Sequence, residues 1–586
     1  MLGIETNNNM HTNESWFIYN PSLGLSQIKK FELAINENLE HALRQIDGKI
    51  LKEYDVDVDE IENLILQSQN EEDNRKGTFA PFKKLKQIYL SCNWSSLASG
   101  LLDDLDELEG FYVPNDENLR TIEVGLFKNK KWMNKLVINH AALDLKPGVF
   151  RGMPNLKELD LHNNRIANIP IGLLSDVPDI ERLILSHNNI KTLSSKVFYG
   201  LPFLKELDMG HNKLEEWNEE AFSYVNSMLY LNLSNNNLKQ LTPSSFKKLN
   251  SLFTLNLDGN YLENLEKTSF IGLPRLDYLG INNNKLKNIN TCTFDRLKAL
   301  RILLLENNEI SEFGPEVFHN LGKLQLFRFE NNNVARLGLK VFYGFKNLTA
   351  LHLNKMNLEI LDERWGVGLN ALKELNLSDN KMKKLPPKAF QAMPTLAKLN
   401  LSGNLIENID MCAFENVYRL KHLDLSRNRL NNVPTNRLNN LSSITWLDLS
   451  NNCIKQLNAS SLVAFRGVID LNLSGNEIDA IAPDAFFHTG KLVVLNLGGN
   501  LLASASWINH LDVENLDLNS NRLKNVDDIL SHSKKLRTLN IANNPIGRID
   551  HAALANSGVA QIDFDQDKFE PGEAQQILNV LKLRNL

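Results

Sequence analysis

The chain has 586 residues, 42% of them hydrophobic, and a formal net charge of -6. That charge is mild for the length, so composition gives no ground for wholesale attraction to nucleic acid or to a membrane surface. No apolar run approaches the roughly 18–20 residues that a membrane-spanning helix requires, and Met1-Leu-Gly-Ile-Glu-Thr lacks the basic start and apolar stretch of a secretory leader.

In chain order, residues 1–25 are polar and read as disordered. From Ser26, the places Ile28, Phe31, Ile35, Leu39, Leu43 and Ile46 follow a helical stripe, ended by Asp47-Gly48. A second helix is expected near Glu60–Gln67. Residues 26–84 are therefore expected to form a helical N-terminal cap, shielding the open core of the next segment.

From about residue 85 the chain is a repeat. The phrase Leu372-Lys-Glu-Leu375-Asn-Leu377-Ser-Asp-Asn380-Lys-Met382 recurs with starts every 24 residues from Leu156 to Leu492. The register then drifts through Val513, Leu536 and Val559, and earlier starts stand at Met133, Leu108 and Leu85, giving about 21 units, of which the first two and the last are degenerate. A period of this size means one supersecondary unit stacked many times. Within a unit, Leu375 and Leu377 alternate with polar residues, as in a short half-buried strand. Asn380 lies at the ninth place, where the chain turns away, and a buried asparagine there has donors and an acceptor for loop backbone groups. Asn164, Asn188, Asn212, Asn236, Asn260, Asn284, Asn308, Asn332, Asn404, Asn428, Asn452, Asn476, Asn500, Asn521 and Asn544 repeat it. Met356 breaks this ladder, so a local distortion or a bound water is expected there. On the far side, Phe198, Phe222, Phe246, Phe270, Phe294, Phe318, Phe342, Phe390, Phe414 and Phe486 recur at one place and should stack as an inner spine.

Two sets of side chains stand out at the outward places. His140, His162, His187 and His211 fall at the seventh or eighth place of four successive units, on strands roughly 4.8 Å apart. A pH-sensitive contact is one reading, because histidine titrates near neutrality; a solvated polar column is the plainer one. From Met228 to Leu348 the outward places carry Leu229, Tyr230, Phe253, Tyr278, Ile302, Leu304 and Leu326, edged by Arg301, Glu306, Arg328, Glu330, His352 and Lys355. An apolar patch with a polar rim marks a protein-contact surface; the alternative is aromatics packing across strands to strengthen the sheet. Trp446, with His422 and Arg427, forms a smaller second candidate.

No phosphate-cradling glycine loop, nucleophile elbow, paired zinc cysteines or His-Glu-x-x-His is present, so no catalytic residue, cofactor or metal is assigned. Of the four cysteines, Cys292 and Cys412 lie five units apart, beyond the roughly 7 Å between alpha carbons that a disulfide spans. Cysteine usage therefore favours a reducing compartment, or a chain with helical caps. Many Asn-x-Ser/Thr triplets fall out of the repeat phrase itself; Asn347 and Asn458 lie outside it and are the better glycosylation candidates. Residues 571–586 are expected to close the repeats, 85–570, with a capping helix.

The recurring leucines, asparagines and phenylalanines resemble the leucine-rich repeat family in its 24-residue variety, over roughly residues 85–570. The resemblance implies an α/β solenoid, a horseshoe with a parallel β-sheet on its concave face and loops or short helical turns on the convex side. That variety is met mostly in ectodomains and secreted proteins such as Toll-type receptors, chaoptin-like adhesion proteins and the leucine-rich immune proteins of mosquitoes. The implied function is a non-enzymatic scaffold that recognises a protein through the concave face, in immune recognition or adhesion, outside the cell or at its surface. The partner would be a protein ligand, a co-receptor or a second copy in a homodimer, with no nucleic acid. A start of the chain missing from this sequence would reconcile that location with the absent leader. An intracellular adaptor or regulatory subunit in the cytoplasm stays open, on the cysteines and the leader.

Overall fold

Each repeat of the phrase lays down one short strand, because leucines at alternate places face inward and bury. In the computed structural model, Leu372, Leu375, Leu377 and Met382 are buried around the strand Glu374–Asn376. The structure describes residues 16–19, 32–35, 61–66, 71–314, 316–435 and 441–584. They fall into two compact units, Met1–Gly280 and Ile281–Leu586. All 21 starts of the phrase are followed by a strand, the drifting and degenerate ones included.

In the first unit parallel strands run in sequence order from Glu32–Ile35 through Asn63–Leu66 and Gln87–Leu90 to Tyr278–Gly280. Trp16–Tyr19 adds antiparallel to Glu32–Ile35. In the second unit the same stacking runs from Ile302–Leu304 to Gln561–Asp563. Leucine faces leucine along each sheet, as in Leu231↔Leu255↔Leu279 and Leu375↔Leu399↔Leu423. This is the parallel-strand solenoid that the repeat implies.

The helical N-terminal cap is not what the described residues show. Glu32–Ile35 and Asn63–Leu66 are strands, and Trp16–Tyr19 is a strand inside the stretch read as disordered. The remaining parts of both expected helices, 26–31, 36–46, 60 and 67, lie outside the described residues, and Ile61 and Glu62 are not helical. Leu64 and Leu66 bury on one side while Asn63 and Ile65 are half-buried, a period of two imposed by pairing with Gln87–Leu90. At the other end the expected helix is present as Pro571–Arg584, with Ala574, Ile577 and Leu581 buried.

The asparagine ladder has a direction. Asn380 Nδ2 donates to Leu353 O at 2.8 Å and to Leu377 O at 3.0 Å. Its Oδ1 accepts from Met356 N at 2.9 Å and Leu358 N at 3.0 Å. Asn404 likewise closes its own turn at Leu401 O and serves Leu377 O of the unit before it. Met356 brings no break in the sheet. The pairings Leu326↔Ala350↔Glu374 continue through it, with the thioether side chain buried in the core.

The eighth place of the phrase is also structural. Its backbone is left-handed at Asn163, Asn235, Asn283, Asn307, Asn331 and Asn451 (φ 53–59°), and at Gly259, Gly403, Gly475 and Gly499 (φ 64–67°). Asparagine and glycine tolerate that region best, which is why they dominate there.

The spine stacks as expected within each unit. Ring centroids lie 5.9 Å apart for Phe198–Phe222, 6.1 Å for Phe294–Phe318 and 5.4 Å for Phe390–Phe414. Between Phe342 and Phe390 the spine place is Gly366, and the neighbouring Trp365 fills it. Its ring lies 6.0 Å from Phe342, and Nε1 donates to Ala389 O at 2.9 Å.

Candidate functional site on the sheet face

Outward side chains on the sheet divide into those the fold needs and those it does not. At the fifth place most units carry Asn or Asp, whose Oδ1 accepts the N–H two residues on: Asn232 from Ser234 N (3.0 Å), Asn376 from Ser378 N (3.0 Å), Asn472 from Ser474 N (3.1 Å). These are side-chain-capped turns that hold the chain as it leaves the strand. The glycosylation triplets at Asn232, Asn376 and Asn472 are therefore by-products of a turn. On the first three strands of the second unit this device is given up, and Leu304, Arg328 and His352 occupy the place.

In the first unit the histidines form two pairs. His140 and His162 meet edge to face at 5.7 Å, and His187 and His211 stack at 4.2 Å with an 8° interplanar angle. Nδ1 of His162 lies 2.7 Å from Asp160 Oδ1, and that hydrogen bond raises the pKa of His162. Burial, then the neighbouring His211, lower that of His187. His140, His187 and His211 sit at the left-handed eighth place (φ 55–58°), so backbone geometry fixes where their rings emerge. Next along the sheet, Leu229, Tyr230 and Phe253 are 44%, 36% and 47% exposed. Tyr278 is half-buried in register with Thr254 and Tyr230. Burial, then Asp208 and Glu206, raise the pKa of the Tyr230 phenol. The strands before this patch carry charges that pair with one another. Glu181 lies 3.5 Å from Lys157 and 2.5 Å from Lys205, and Arg182 lies 3.2 Å from Glu206.

The remaining members of the expected patch belong to the second unit. Ile302, Leu326 and Ala350 are register partners, as are Leu304, Arg328 and His352, all half-buried. Arg301 is exposed beside Ile302. Arg328 Nη1 lies 3.2 Å from Glu306 Oε1, and its Nε lies 3.8 Å from Glu330 Oε1. Burial, then Glu330, push the Glu306 carboxyl up to about 7 against the pull of Arg328. Burial, then Arg328, lower the pKa of His352. Sequence reasoning placed both glutamates only on the rim. Their signal was a carboxylate at the seventh place, where Ser378, Ser402, Ser426, Ser450 and Ser474 stand in later units.

Trp446 lies further along this unit, in register between His422 and Asp470, with its ring 6.2 Å from that of His422. Arg427, grouped with it in the sequence, reaches Asp379 Oδ1 instead, at 3.2 Å. Asn347 and Asn458 are both exposed. Asn347 Nδ2 donates to Gly322 O at 2.6 Å, and Asn458 Oδ1 accepts from Ser460 Oγ at 2.9 Å. No disulfide joins any of the four cysteines. Among the described residues no group of three His, Cys, Asp or Glu is arranged to hold a metal ion, and no helix is long and apolar enough to cross a membrane.

Comparison with known proteins bears on the fold. A search of curated proteins finds no match. Among solved structures the chain is similar to that of the Toll–Spatzle complex, a hub in Drosophila development and innate immunity. The TM-score is 0.61 at 20% identity, covering 89% of this chain and 62% of that one. The glycosylated form of that complex gives 0.57 at 18% identity, over 92% and 64%. This chain thus spans under two-thirds of the length of either. The TLR13–ssRNA13 complex scores 0.49 at 19% identity, over 91% of both chains. The leucine rich repeat model matches in overlapping segments from 154 to 502, and a BspA type leucine rich repeat region matches residues 38–132, reaching into the stretch expected to be a helical cap. With over half its length so matched, the chain belongs to the leucine-rich repeat family.

Proposed function

We propose that the chain is a non-catalytic scaffold that recognises a protein partner through the exposed face of its parallel sheet. One observation carries this: Leu229, Tyr230 and Phe253 stand exposed where two adjacent strands begin, at places where the fold asks for nothing large or apolar. Exposed apolar side chains beside charged ones favour a protein contact, and tyrosine and arginine are enriched at the energetic centres of interfaces. A strand-borne face is largely preformed, so little ordering entropy is lost on docking. Ile302, Leu304, Leu326, Arg301, Arg328 and His352 make a separate contact candidate of the second unit, and in the first unit His140, His162, His187 and His211 would make a contact sensitive to pH. The Toll neighbour is held in a complex with Spatzle. By extension the partner here is a protein ligand or co-receptor, met outside the cell or at its surface in immune recognition or adhesion.

The test is affinity capture with the native chain and with a Tyr230→Ala, Phe253→Ala, Tyr278→Ala variant of unchanged thermal stability. Loss of the captured proteins from the variant is expected. Equal recovery by both would remove the patch from the interface. Four cysteines outside any disulfide favour a second reading, an intracellular adaptor. Mass spectrometry of the natively expressed protein separates the two: glycans at Asn347 or Asn458 support the extracellular reading, and bare asparagines support the adaptor.

A further inference from the structure

The second unit carries a charge imbalance at Trp446 that the fold does not require. Asp424, Asp448 and Asp470 lie on three successive strands, His422–Asp424, Trp446–Asp448 and Asp470–Asn472, all half-buried on the sheet face around the indole. Asp424 and Asp448 are in register with each other, and Asp470 is in register with Trp446. Asp424 Oδ1 accepts from Ser426 N at 2.9 Å and Asp448 Oδ1 from Ser450 N at 2.7 Å, the same turn bonds that Asn376, Asn400, Asn472 and Asn496 make elsewhere. An amide oxygen meets that need, so the negative charges are surplus to the turn.

Nor does the chain neutralise them. In the first unit, Lys157, Glu181 and Lys205 pair across strands, while Asp208 stands singly beside Asn232 Nδ2 at 2.7 Å; around Trp446 three such carboxylates stand together. Among the described residues no ion pair reaches Asp424, Asp448 or Asp470. Of the basic residues on neighbouring places, Arg427 is turned to Asp379, and Lys398 and Lys421 make no pair with the three. Asp448 has one neutral neighbour, Asn472 Nδ2 at 2.9 Å. Burial, then the charge of Asp448, raise the pKa of Asp470. Ile469, 42% exposed, and the half-buried Val494 add apolar surface beside them.

We propose that this face docks a lysine- or arginine-bearing segment of a protein partner, its cationic head among Asp424, Asp448 and Asp470 and its stem against Trp446. A guanidinium or ammonium gains from the aromatic face and the carboxylates together, and its aliphatic stem covers the apolar flank. This deepens the reading of the sheet as a protein-recognition surface and rests on it.

The test uses fluorescently labelled hexa-arginine and hexa-glutamate peptides, followed by anisotropy on the full chain. An Asp424→Asn, Asp448→Asn, Asp470→Asn variant keeps both turn acceptors and should fold; circular dichroism checks it. A Glu216→Gln, Glu219→Gln, Glu220→Gln variant makes the same change in net charge at exposed residues off the main sheet. Hexa-arginine should bind the native chain, and the aspartate variant should weaken it by about tenfold or more, the loss expected when charged partners of an interface are removed. Trp446→Ala should weaken it several-fold, and the glutamate variant should leave it unchanged. Equal weakening by the two triple variants, no binding by the native chain, or equal binding of hexa-glutamate would overturn the proposal. Run beside the capture experiment, these outcomes stay distinct. Patch-dependent capture without peptide discrimination sinks this inference alone, and the reverse result sinks the assignment of the Tyr230 patch.

Discussion

Glu306 is the residue at which position in the fold most changes chemistry. A carboxyl with an ordinary pKa of 4.5 is pushed up to about 7, so the folded chain holds a proton that the unfolded chain releases. Stability should therefore fall as pH rises between those two values. Glu306→Gln should flatten that slope, and urea midpoints measured near pH 5 and near pH 8 check it. An unchanged slope would place the titration elsewhere. The same scale shows what a single letter of sequence can hide. Asp448 and Asn472 look interchangeable within the repeat phrase, because either caps its turn, yet only the aspartate adds charge to the face. Met356 looks like a fault in the ladder, but Asn380 of the next unit accepts its N–H and donates to Leu353 O.

At the scale of elements, the spine shows how a unit copes with a missing aromatic. Trp365 enters from one residue away and fills the place of Gly366, buried completely and bonded to Ala389 O. Trp365→Ala should cost about 3–5 kcal/mol, as large buried aromatics do. Trp365→Phe should cost about 1–2 kcal/mol, chiefly through a carbonyl left without its donor. Denaturant unfolding of both variants measures the difference; no loss in Trp365→Phe would mean that the hydrogen bond contributes nothing. The strands 85–570 were legible because fifteen successive units hold one register. The earlier strands were not. Ile28, Phe31 and Ile35 fit a helical stripe, while Leu33 and Ile35 equally fit the alternation of Glu32–Ile35. For Asn63–Leu66 the ladder place holds Gln69 rather than asparagine, so nothing local broke the tie between periods of 3.6 and 2.

For the molecule as a whole, stacking of like units makes stability a sum of unit and neighbour terms. Deleting one full period, Leu372–Thr395, should leave a folded protein with an unchanged far-UV signature, because Asn404 then stands where Asn380 served the unit of Met356. Deleting half that length, Leu372–Lys383, should abolish cooperative unfolding, because inward leucines and outward polar residues no longer match their neighbours. Thermal melts of the two deletion variants decide it; a half-period deletion that melts like the full-period one would refute additive stacking in register. The exposed aromatics Tyr230 and Phe253 were readable as departures from the repeat, since large side chains at outward places are rare in it. The behaviour of Glu306 was less so, because its raised pKa depends on distance and burial that no spacing encodes.

The backward reach of the asparagines also bears on how such a chain comes into being. Asn188 serves Ile166, Asn212 serves Ile190, and Asn236 serves Leu214, so each of these turns is finished by the residue that emerges about twenty positions later. During synthesis the ribosome delivers the missing donors and acceptors in the order they are needed. A nascent chain paused anywhere along these turns therefore exposes a single incomplete coil to chaperones and proteases, with everything already made behind it sealed.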